Sequence, residues 1–311
     1  MLLEVSDVSK DYGKIKAVKN VSFRINIGEI FGLLGPNGAG KTSILEMIEG
    51  IRRLNSGSVL FNGKLLNKKE LSFFLGIQFQ ENSLFDLMTV EETIGYFATI
   101  YNLKDKKQDS LLEYMALDQM KHKKAGELSI GQQRSLCVLL AFIHKPALVI
   151  LDEPTSGLDP IARRRLWGFL NEYIRDKNNA ILLSTHYMDE AEYLCHRVAL
   201  LNRGEIVGLG SPEELIRNIG LQGIISFTCS NLENYDFAGS IQNVVSVHRR
   251  SNSVILKTSE LFTTLNSLLD EVRKLKIELT DLQVRKLNLE DVFLKLAGQE
   301  FMDEDNQTIL V

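Results

Sequence analysis

Cysteine is scarce in this sequence of 311 residues. Its three cysteines, Cys137, Cys195 and Cys229, are an odd number and stand far apart. They match neither a disulfide framework nor the paired spacing of a zinc site, so they suit a reducing cytosol. The first residues lack a basic stretch followed by an apolar core, and we expect no signal peptide there.

A long uninterrupted hydrophobic run is also missing. The most apolar window, residues 136–154, is interrupted by His144, Lys145 and Pro146. The interruption comes well before the roughly 20 apolar residues that a membrane-spanning helix needs. If the protein works at a membrane, we expect another chain to supply the part that crosses it.

The sequence also lacks a surplus of positive charge. The chain has 36 lysines and arginines against 40 aspartates and glutamates, which gives a net charge of −4. A general nucleic-acid binder usually has a basic surplus, so we expect no nucleic-acid partner. The length of 311 residues suits about two domains.

Short apolar runs alternate with helical patterns through the first two thirds of the chain. Apolar runs without alternation are typical of strands that are buried on both faces of a parallel sheet. The order strand, helix, strand therefore predicts an α/β fold. The runs are residues 29–35, 147–154 and 180–186.

The character of the sequence changes after about residue 220. Residues 224–227 and 253–257 predict strands, and residues 288–298 predict a helix that ends at a glycine. We interpret residues 221–298 as a small second α/β domain. The acidic residues 299–311 suggest a disordered tail.

A glycine-rich segment, GPNGAGKT, lies between an apolar run and a helical pattern. It fits the phosphate-binding pattern G-x-x-x-x-G-K-[ST] in its expected context. The glycines let consecutive backbone N–H groups curl around phosphates, and the helix amino terminus adds its positive dipole end. We expect Lys41 to reach the β- and γ-phosphates, Thr42 to bind Mg²⁺ and Ser43 to contact the α-phosphate. The residues expected to hold a nucleoside triphosphate are Gly35, Pro36, Asn37, Gly38, Ala39, Gly40, Lys41, Thr42 and Ser43.

Two carboxylates, Asp152 and Glu153, stand at the end of the second apolar run. Asp152 suits a Mg²⁺ ligand that acts through water. Glu153 suits a residue that orients or deprotonates an attacking water. Such a strand end is common by itself, and the phosphate-binding loop gives it this interpretation.

Several further motifs follow one another in a fixed order along the chain. Through these motifs, residues 1 to about 220 resemble the ATP-binding subunits of ABC transporters. Taken singly, these residues also suit structural roles, such as a core aromatic or a helix cap. The motifs occur together in the family's order, which favours the functional interpretation. The further matches are LSIGQ at residues 128–132 for the signature, SGLD at 156–159 for the D-loop, Gln80 (or its neighbour Gln78) for the Q-loop glutamine, His186 for the switch histidine and Tyr12 for the aromatic that stacks on adenine.

The resemblance implies a P-loop ABC ATPase core over residues 1–220. A helical subdomain at about 81–140 would receive a coupling helix of the permease. The implied catalytic residues are Glu153, His186 and Gln80, and the implied Mg²⁺ ligands are Thr42, Gln80 and Asp152.

The signature and D-loop are implied to serve a second copy of the chain. A capped helix amino terminus is an anion site, and in this family it faces the ATP of the partner cassette. Ser129, Gly131, Gln132 and Asp159 would therefore complete the partner's site. Ile130 stands where the family usually has glycine, a departure that bears on the tightness of the ATP-closed dimer.

The implied function is that of an ATPase subunit that drives export through a separate transmembrane permease. It would lie at the cytoplasmic face of the membrane. Residues 288–298 look like the end of ATPase subunits from the ABC-2 type drug- and antibiotic-export branch, although this helix also suits simple packing. The substrate class would be a drug, antibiotic, peptide or lipid-like molecule.

Three other functions stay open at this point. An immunity or sensing module without transport would use the same ATP-binding residues. An importer ATPase is disfavoured by the resemblance of the carboxy-terminal part. A soluble ABC ATPase of ribosomes or DNA would usually carry two cassettes or long insertions, whereas this sequence has one phosphate-binding loop.

Overall fold

The computed structural model describes residues 1–81, 84–104, 108–176, 178–229, 240–250, 253–276 and 278–298. The chain forms two compact units, Met1–Pro212 and Glu213–Val311. The assignment of a cassette to residues 1–220 and of an accessory domain to 221–298 stays a prediction, because compactness identifies neither. The predicted tail at 299–311 lies outside the described residues.

The first unit contains two sheets. The larger has the order β5-β6-β7-β3-β8-β9 and is parallel except for the pair β8 and β9, and the smaller is an antiparallel sheet of order β2-β1-β4. Every residue of β3, β6 and β7 is buried, which confirms the three predicted strands. The strands are β1 (Leu3–Tyr12), β2 (Ile15–Ile25), β3 (Ile30–Leu34), β4 (Ser56–Phe61), β5 (Leu75–Gln78), β6 (Leu148–Asp152), β7 (Ala180–Thr185), β8 (Arg197–Asn202) and β9 (Glu205–Gly210).

Helices surround these sheets. Ile44, Leu45 and Ile48 of the first helix are buried in a core that the strands of both sheets share. This burial fixes the amino end of that helix next to the carboxyl end of β3. Among the described residues the α-helices of this unit are α1 (Lys41–Ile48), α2 (Lys68–Phe74), α3 (Val90–Ile100), α4 (Asp109–Tyr114), α5 (Ile130–Phe142), α6 (Pro160–Tyr173) and α7 (Met188–Leu194). The next helix, α8 (Pro212–Arg217), begins at the last residue of the first unit.

The second unit has an antiparallel sheet of order β11-β12-β10-β13. Its own core includes Ile225, Phe227, Leu256 and Leu268. The predicted strands at 224–227 and 253–257 and the predicted helix at 288–298 are confirmed. The elements are β10 (Gly223–Cys229), β11 (Val244–Arg250), β12 (Ser253–Thr258), α9 (Leu261–Leu275), β13 (Leu279–Lys286) and α10 (Leu289–Leu296).

No helix in the described ranges is both long enough and apolar enough to span a membrane. The longest of the helices given above, α9, has 15 residues. A spanning helix needs about 20 apolar residues.

Candidate functional site

The loop Gly35–Gly40 joins the carboxyl end of β3 to the amino end of α1. Gly40 has a φ of 104°, and a Cβ atom at this position would lie 2.6 Å from Ala17 O. Only glycine tolerates both the left-handed backbone and the close approach. The loop therefore lets the backbone turn sharply into α1, where free N–H groups and the helix dipole attract anions.

A cleft of about 340 Å³ opens over this loop. Gln80 and Glu153 line this cleft together with seven of the predicted phosphate-binding residues. Gly35 and Pro36 are not in its lining, but their carbonyl oxygens hold Lys41. The lining residues are Ala17, Asn37, Gly38, Ala39, Gly40, Lys41, Thr42, Ser43, Gln80 and Glu153.

The ammonium group of Lys41 lies in the wall of the cleft, and the residue is only 5% exposed. Its Nζ donates to Gly35 O at 2.7 Å and to Pro36 O at 3.3 Å, and lies 3.8 Å from Glu153 Oε1. Burial lowers the pKa of Lys41, while the nearby carboxylates of Glu153 and Asp152 raise it. A buried cation at the start of α1 is well placed to pair with phosphate oxygens.

Asp152 ends β6 and is buried beside the start of α1. Thr42 Oγ1 donates to its Oδ2 at 3.2 Å, and Ser184 Oγ donates to its Oδ1. Burial raises the pKa of Asp152, and these two hydroxyl groups lower it.

The oxygen ligands near Asp152 suit Mg²⁺, which usually takes one or two carboxylates and completes its shell with water and phosphate. Within the part of the chain that the structure describes, no group of three or more His, Cys, Asp or Glu side chains is arranged to hold a metal. A magnesium ion here would therefore depend on the Thr42 hydroxyl, the Gln80 amide and nucleotide phosphates besides Asp152.

Glu153 follows β6 with a φ of 50°, an uncommon conformation for a residue other than glycine. Its backbone N–H donates to Ser184 O at 3.1 Å. Its Oε1 lies 3.2 Å from His186 Nδ1, although the two atoms lack hydrogen-bond geometry. The structure thus brings the predicted switch histidine to the carboxylate that lines the cleft.

Tyr12 is the last residue of β1 and lies beside the start of α1. Its hydroxyl group lies 3.4 Å from Ser43 Oγ. Lys10 Nζ and Arg52 Cζ lie 5.4 Å and 5.8 Å from the centroid of its ring. The ring is partly exposed, which suits stacking with a planar base.

Three of the predicted nucleotide-contacting residues act as helix caps in the structure. Ser129 Oγ accepts from Gln132 N at 3.3 Å and Gln132 Oε1 accepts from Ser129 N at 3.0 Å, which confirms a capping box at α5. Asp159 Oδ1 accepts from the backbone of Ile161 and Ala162, both at 2.9 Å, and caps α6. None of the three lines the cleft, so their contact with a nucleotide stays a prediction.

The start of α5 lies against the D-loop segment. A Cβ atom added at Gly131 would lie 3.5 Å from Leu158 Cδ2 and 3.7 Å from Gly157 O. Ile130 is 70% exposed beside them. The segments at 129–132 and 156–159 therefore form one continuous surface, away from the cleft lining.

Gln78 and Gln80 have different places in the structure. Gln78 is 1% exposed, and its Nε2 donates to Asp152 O at 3.3 Å. Gln80 lines the cleft. Side chains two positions apart in an extended segment point to the same side. The sequence alone therefore could not decide whether Gln78 or Gln80 lines the cleft.

Sequence reasoning missed Ala17 and Ser184. Ala17 lies in β2, far along the chain from the loop, and carries no chemical signal. Ser184 is a fully buried hydroxyl within β7 that donates to Asp152. A polar residue in an otherwise apolar buried run, two positions before His186, was the signal that could have found it.

Glu49, next to the carboxyl end of α1, carries an unusual carboxyl group. Its burial, followed by the negative charges of Asp152 and Glu46, raises its pKa from the usual 4.5 to about 8. Between these two values the unfolded chain releases a proton that the folded chain keeps. The free energy of unfolding therefore falls as the pH rises from about 4.5 to 8.

We expect Glu49→Gln to stabilise the nucleotide-free protein more at high pH than at low pH. The gain in unfolding free energy should be roughly 3 kcal/mol larger at pH 8 than at pH 5, at about 1.4 kcal/mol for each pKa unit. Thermal unfolding at both pH values measures this difference. Glu113→Gln, at an exposed position of α4, serves as the control. An equal gain at both pH values would contradict the prediction.

The chain is similar to known proteins over most of its length. The family described as ABC transporter matches residues 18–156 of the chain. The linearmycin resistance ATP-binding protein LnrL of Bacillus subtilis (strain 168) is 33% identical over 97% of this chain and 100% of its own length. The Nod factor export ATP-binding protein I of Rhizobium etli is 34% identical over 96% of this chain and 94% of its own length.

A solved structure described as the ATP binding subunit of an ABC transporter is also similar. It has a TM-score of 0.66 and 29% identity, and the match covers 71% of this chain and 94% of that structure. The two sequence relatives align along nearly the whole chain, the second unit included.

Proposed function

Because the chain belongs to the ABC transporter family of ATP-binding proteins, we propose that it is the ATPase subunit of an export system. It binds ATP with Mg²⁺ and hydrolyses it to drive a separate permease. The observation that carries this proposal is the convergence of Lys41, Gln80 and Glu153 on the glycine-loop cleft. Asp152 lies behind them, bonded to Thr42.

The proposed chemistry assigns one task to each polar group. Lys41 pairs with the β- and γ-phosphates. Thr42, Gln80 and Asp152 would hold Mg²⁺, which would supply positive charge to neutralise the phosphates. Glu153 orients a water molecule and accepts its proton as the water oxygen bonds to the γ-phosphorus. The bond from that phosphorus to the β–γ bridging oxygen breaks, which gives ADP and phosphate. His186 contacts the γ-phosphate and keeps Glu153 in place.

The cassette is proposed to work as a dimer of two copies. The surface formed by 129–132 and 156–159 includes the capped start of α5, an anion-attracting helix end that does not line its own cleft. Two exposed apolar side chains lie at this surface: Ile130, 70% exposed, is in the first segment, and Ile161, 72% exposed, follows the second by two residues. Burying them against a second copy would favour association as ATP closes the dimer.

The permease is proposed to dock on an apolar groove in the first unit. The groove has a volume of about 270 Å³ and includes Phe79, Phe97 and Tyr101 in its lining. Phe85 and Leu87 are exposed nearby in sequence, at 49% and 82%. Such a groove suits the apolar face of a short amphipathic helix from a membrane protein. The chain would thus be held peripherally at the cytoplasmic face of the membrane.

The substrate class is proposed from the relatives, since the transported molecule would not touch this chain. The names of two relatives refer to linearmycin resistance and to Nod factor export. Both align with the chain from the cassette through the second unit. We therefore favour export of an antibiotic, drug, peptide or lipid-like molecule over import or a sensing role.

Affinity purification of the chain from detergent-solubilised membranes tests this function. We expect mass spectrometry to identify a polytopic membrane protein in near-stoichiometric amount. Phe85→Asp should reduce its recovery severalfold, while Phe262→Asp, at an exposed position of α9 in the second unit, should not. Recovery of only ribosomal or DNA-bound proteins would overturn the transport proposal and leave the ATP chemistry in place.

A further inference from the structure

A buried arginine on α5 holds the backbone that follows β5. Arg134 is 7% exposed, and its Nη1 donates to Phe79 O at 3.1 Å and to Gln80 O at 2.7 Å. Hydrogen bonds from a charged donor are shorter and stronger than neutral ones. One side chain of α5, the helix that begins in the signature segment and is called the signature helix below, therefore fixes two consecutive carbonyl groups of the Q-loop.

Arg134 is not placed by an ion pair. Among the described residues it has no salt-bridge partner, and its Nε is buried without a hydrogen-bond partner. Burying a cation without a carboxylate is costly. The two backbone carbonyl groups are its hydrogen-bond acceptors, so its contribution to the fold is concentrated on the Q-loop.

A second side chain extends this contact to the end of β6. Gln78 Nε2 donates to Phe79 O, the same oxygen that Arg134 binds, and also to Asp152 O at 3.3 Å. The backbone of the Q-loop is thus bonded on one side to α5 and on the other to the residue that bonds Thr42.

These bonds join two parts of the proposed mechanism. Gln80 lines the cleft of its own copy, whereas the start of α5 belongs to the surface proposed to meet the ATP of the second copy. Arg134 lies about one and a half helical turns after Ser129 on the same rigid helix. A shift of Gln80 toward bound nucleotide would pull on Arg134 and so reorient the start of α5.

We infer that Arg134 is a positioning residue that couples nucleotide occupancy of one copy's cleft to the orientation of its signature helix toward the partner. Arg134 is not among the residues that line the cleft. The inference rests on the proposed ATP-dependent dimer. The role of Arg134 differs from that of the residues that bind nucleotide. Loss of the Arg134 side chain should uncouple the clefts of the two copies, while each cleft still binds nucleotide.

The test compares Arg134→Gln and Arg134→Lys with the wild-type full-length chain. We expect Arg134→Gln to lower kcat about tenfold or more, because small misplacements of reacting groups cost this much. The Hill coefficient for ATP hydrolysis should fall toward 1. The equilibrium affinity for a fluorescent ATP analogue should stay within about threefold of the wild-type value. Arg134→Lys keeps the charge and should recover part of kcat. Arg164→Gln, at an exposed position of α6, should change nothing.

The outcomes distinguish this inference from the proposed function. Cooperative hydrolysis that survives in both Arg134 variants would overturn the inference alone. Analogue binding, thermal stability and kcat could instead fall together in both the Arg134→Gln and the Arg134→Lys variants. That result would assign Arg134 a merely structural role and would also overturn the inference. A wild-type chain that hydrolyses ATP with a Hill coefficient of 1 and never dimerises would overturn the proposed dimer, and the inference with it.

Discussion

Replacing Glu153 with glutamine is expected to lower the rate of ATP hydrolysis by about a thousandfold, within the range that a positioned general base contributes. Glutamine keeps the shape of the side chain but cannot accept the proton of the attacking water. The Glu153 carboxylate lines the cleft, 3.8 Å from Lys41 Nζ and 3.2 Å from His186 Nδ1, so no other described carboxylate shares its place. Steady-state phosphate release measures the rate.

Binding should survive this substitution. We expect the affinity for ATP to stay within about threefold, because the phosphate contacts come from the loop and Lys41. With ATP and Mg²⁺, the Glu153→Gln chain should elute as a dimer in size-exclusion chromatography. Asp189→Asn, an exposed carboxylate three positions after His186, is the matched control and should hydrolyse ATP normally. A wild-type rate in the Glu153→Gln chain would remove Glu153 from the mechanism.

Alanine at Gly76 should destabilise the first unit by about 3 kcal/mol, the upper part of the usual cost of overpacking. Gly76 lies buried in β5, where a Cβ atom would stand 1.8 Å from Ala141 O and 2.7 Å from Pro146 Cγ. The nearer clash is with backbone, so no side chain can rotate to relieve it. Either α5 or β5 must move, and denaturant-induced unfolding of the full chain measures the cost.

Gly95 provides the control for this prediction. It lies in α3, and nothing stands within 4 Å of a Cβ atom added there. Gly95→Ala should therefore stabilise the protein by up to about 1 kcal/mol, because alanine favours the helix over glycine. If the two alanine variants unfolded at the same denaturant concentration, the close approach of β5 to α5 would not be the cause.

Features that depend on neighbours in the chain were predictable from the sequence. The strands at 29–35, 147–154 and 180–186 followed from short apolar runs without alternation, and the cap at Ser129 from one hydroxyl and one glutamine three positions later. The sharp loop between β3 and α1 followed from glycine spacing and a lysine at the start of a helix. Each of these depends on backbone conformation and hydrogen bonds within a few residues, which local residue types control.

Features that depend on packing between distant segments were not predictable. The sequence offers Gln78 and Gln80 as equivalent candidates, and the fold sends one to the cleft and the other to Asp152 O. Arg134 reads as one more polar residue of a helix until the structure sets it against carbonyl groups more than 50 positions earlier. Such contacts exist only after the sheet has placed β5 beside β6 and α5 against β5, because the free energy that fixes them comes from burying whole elements together.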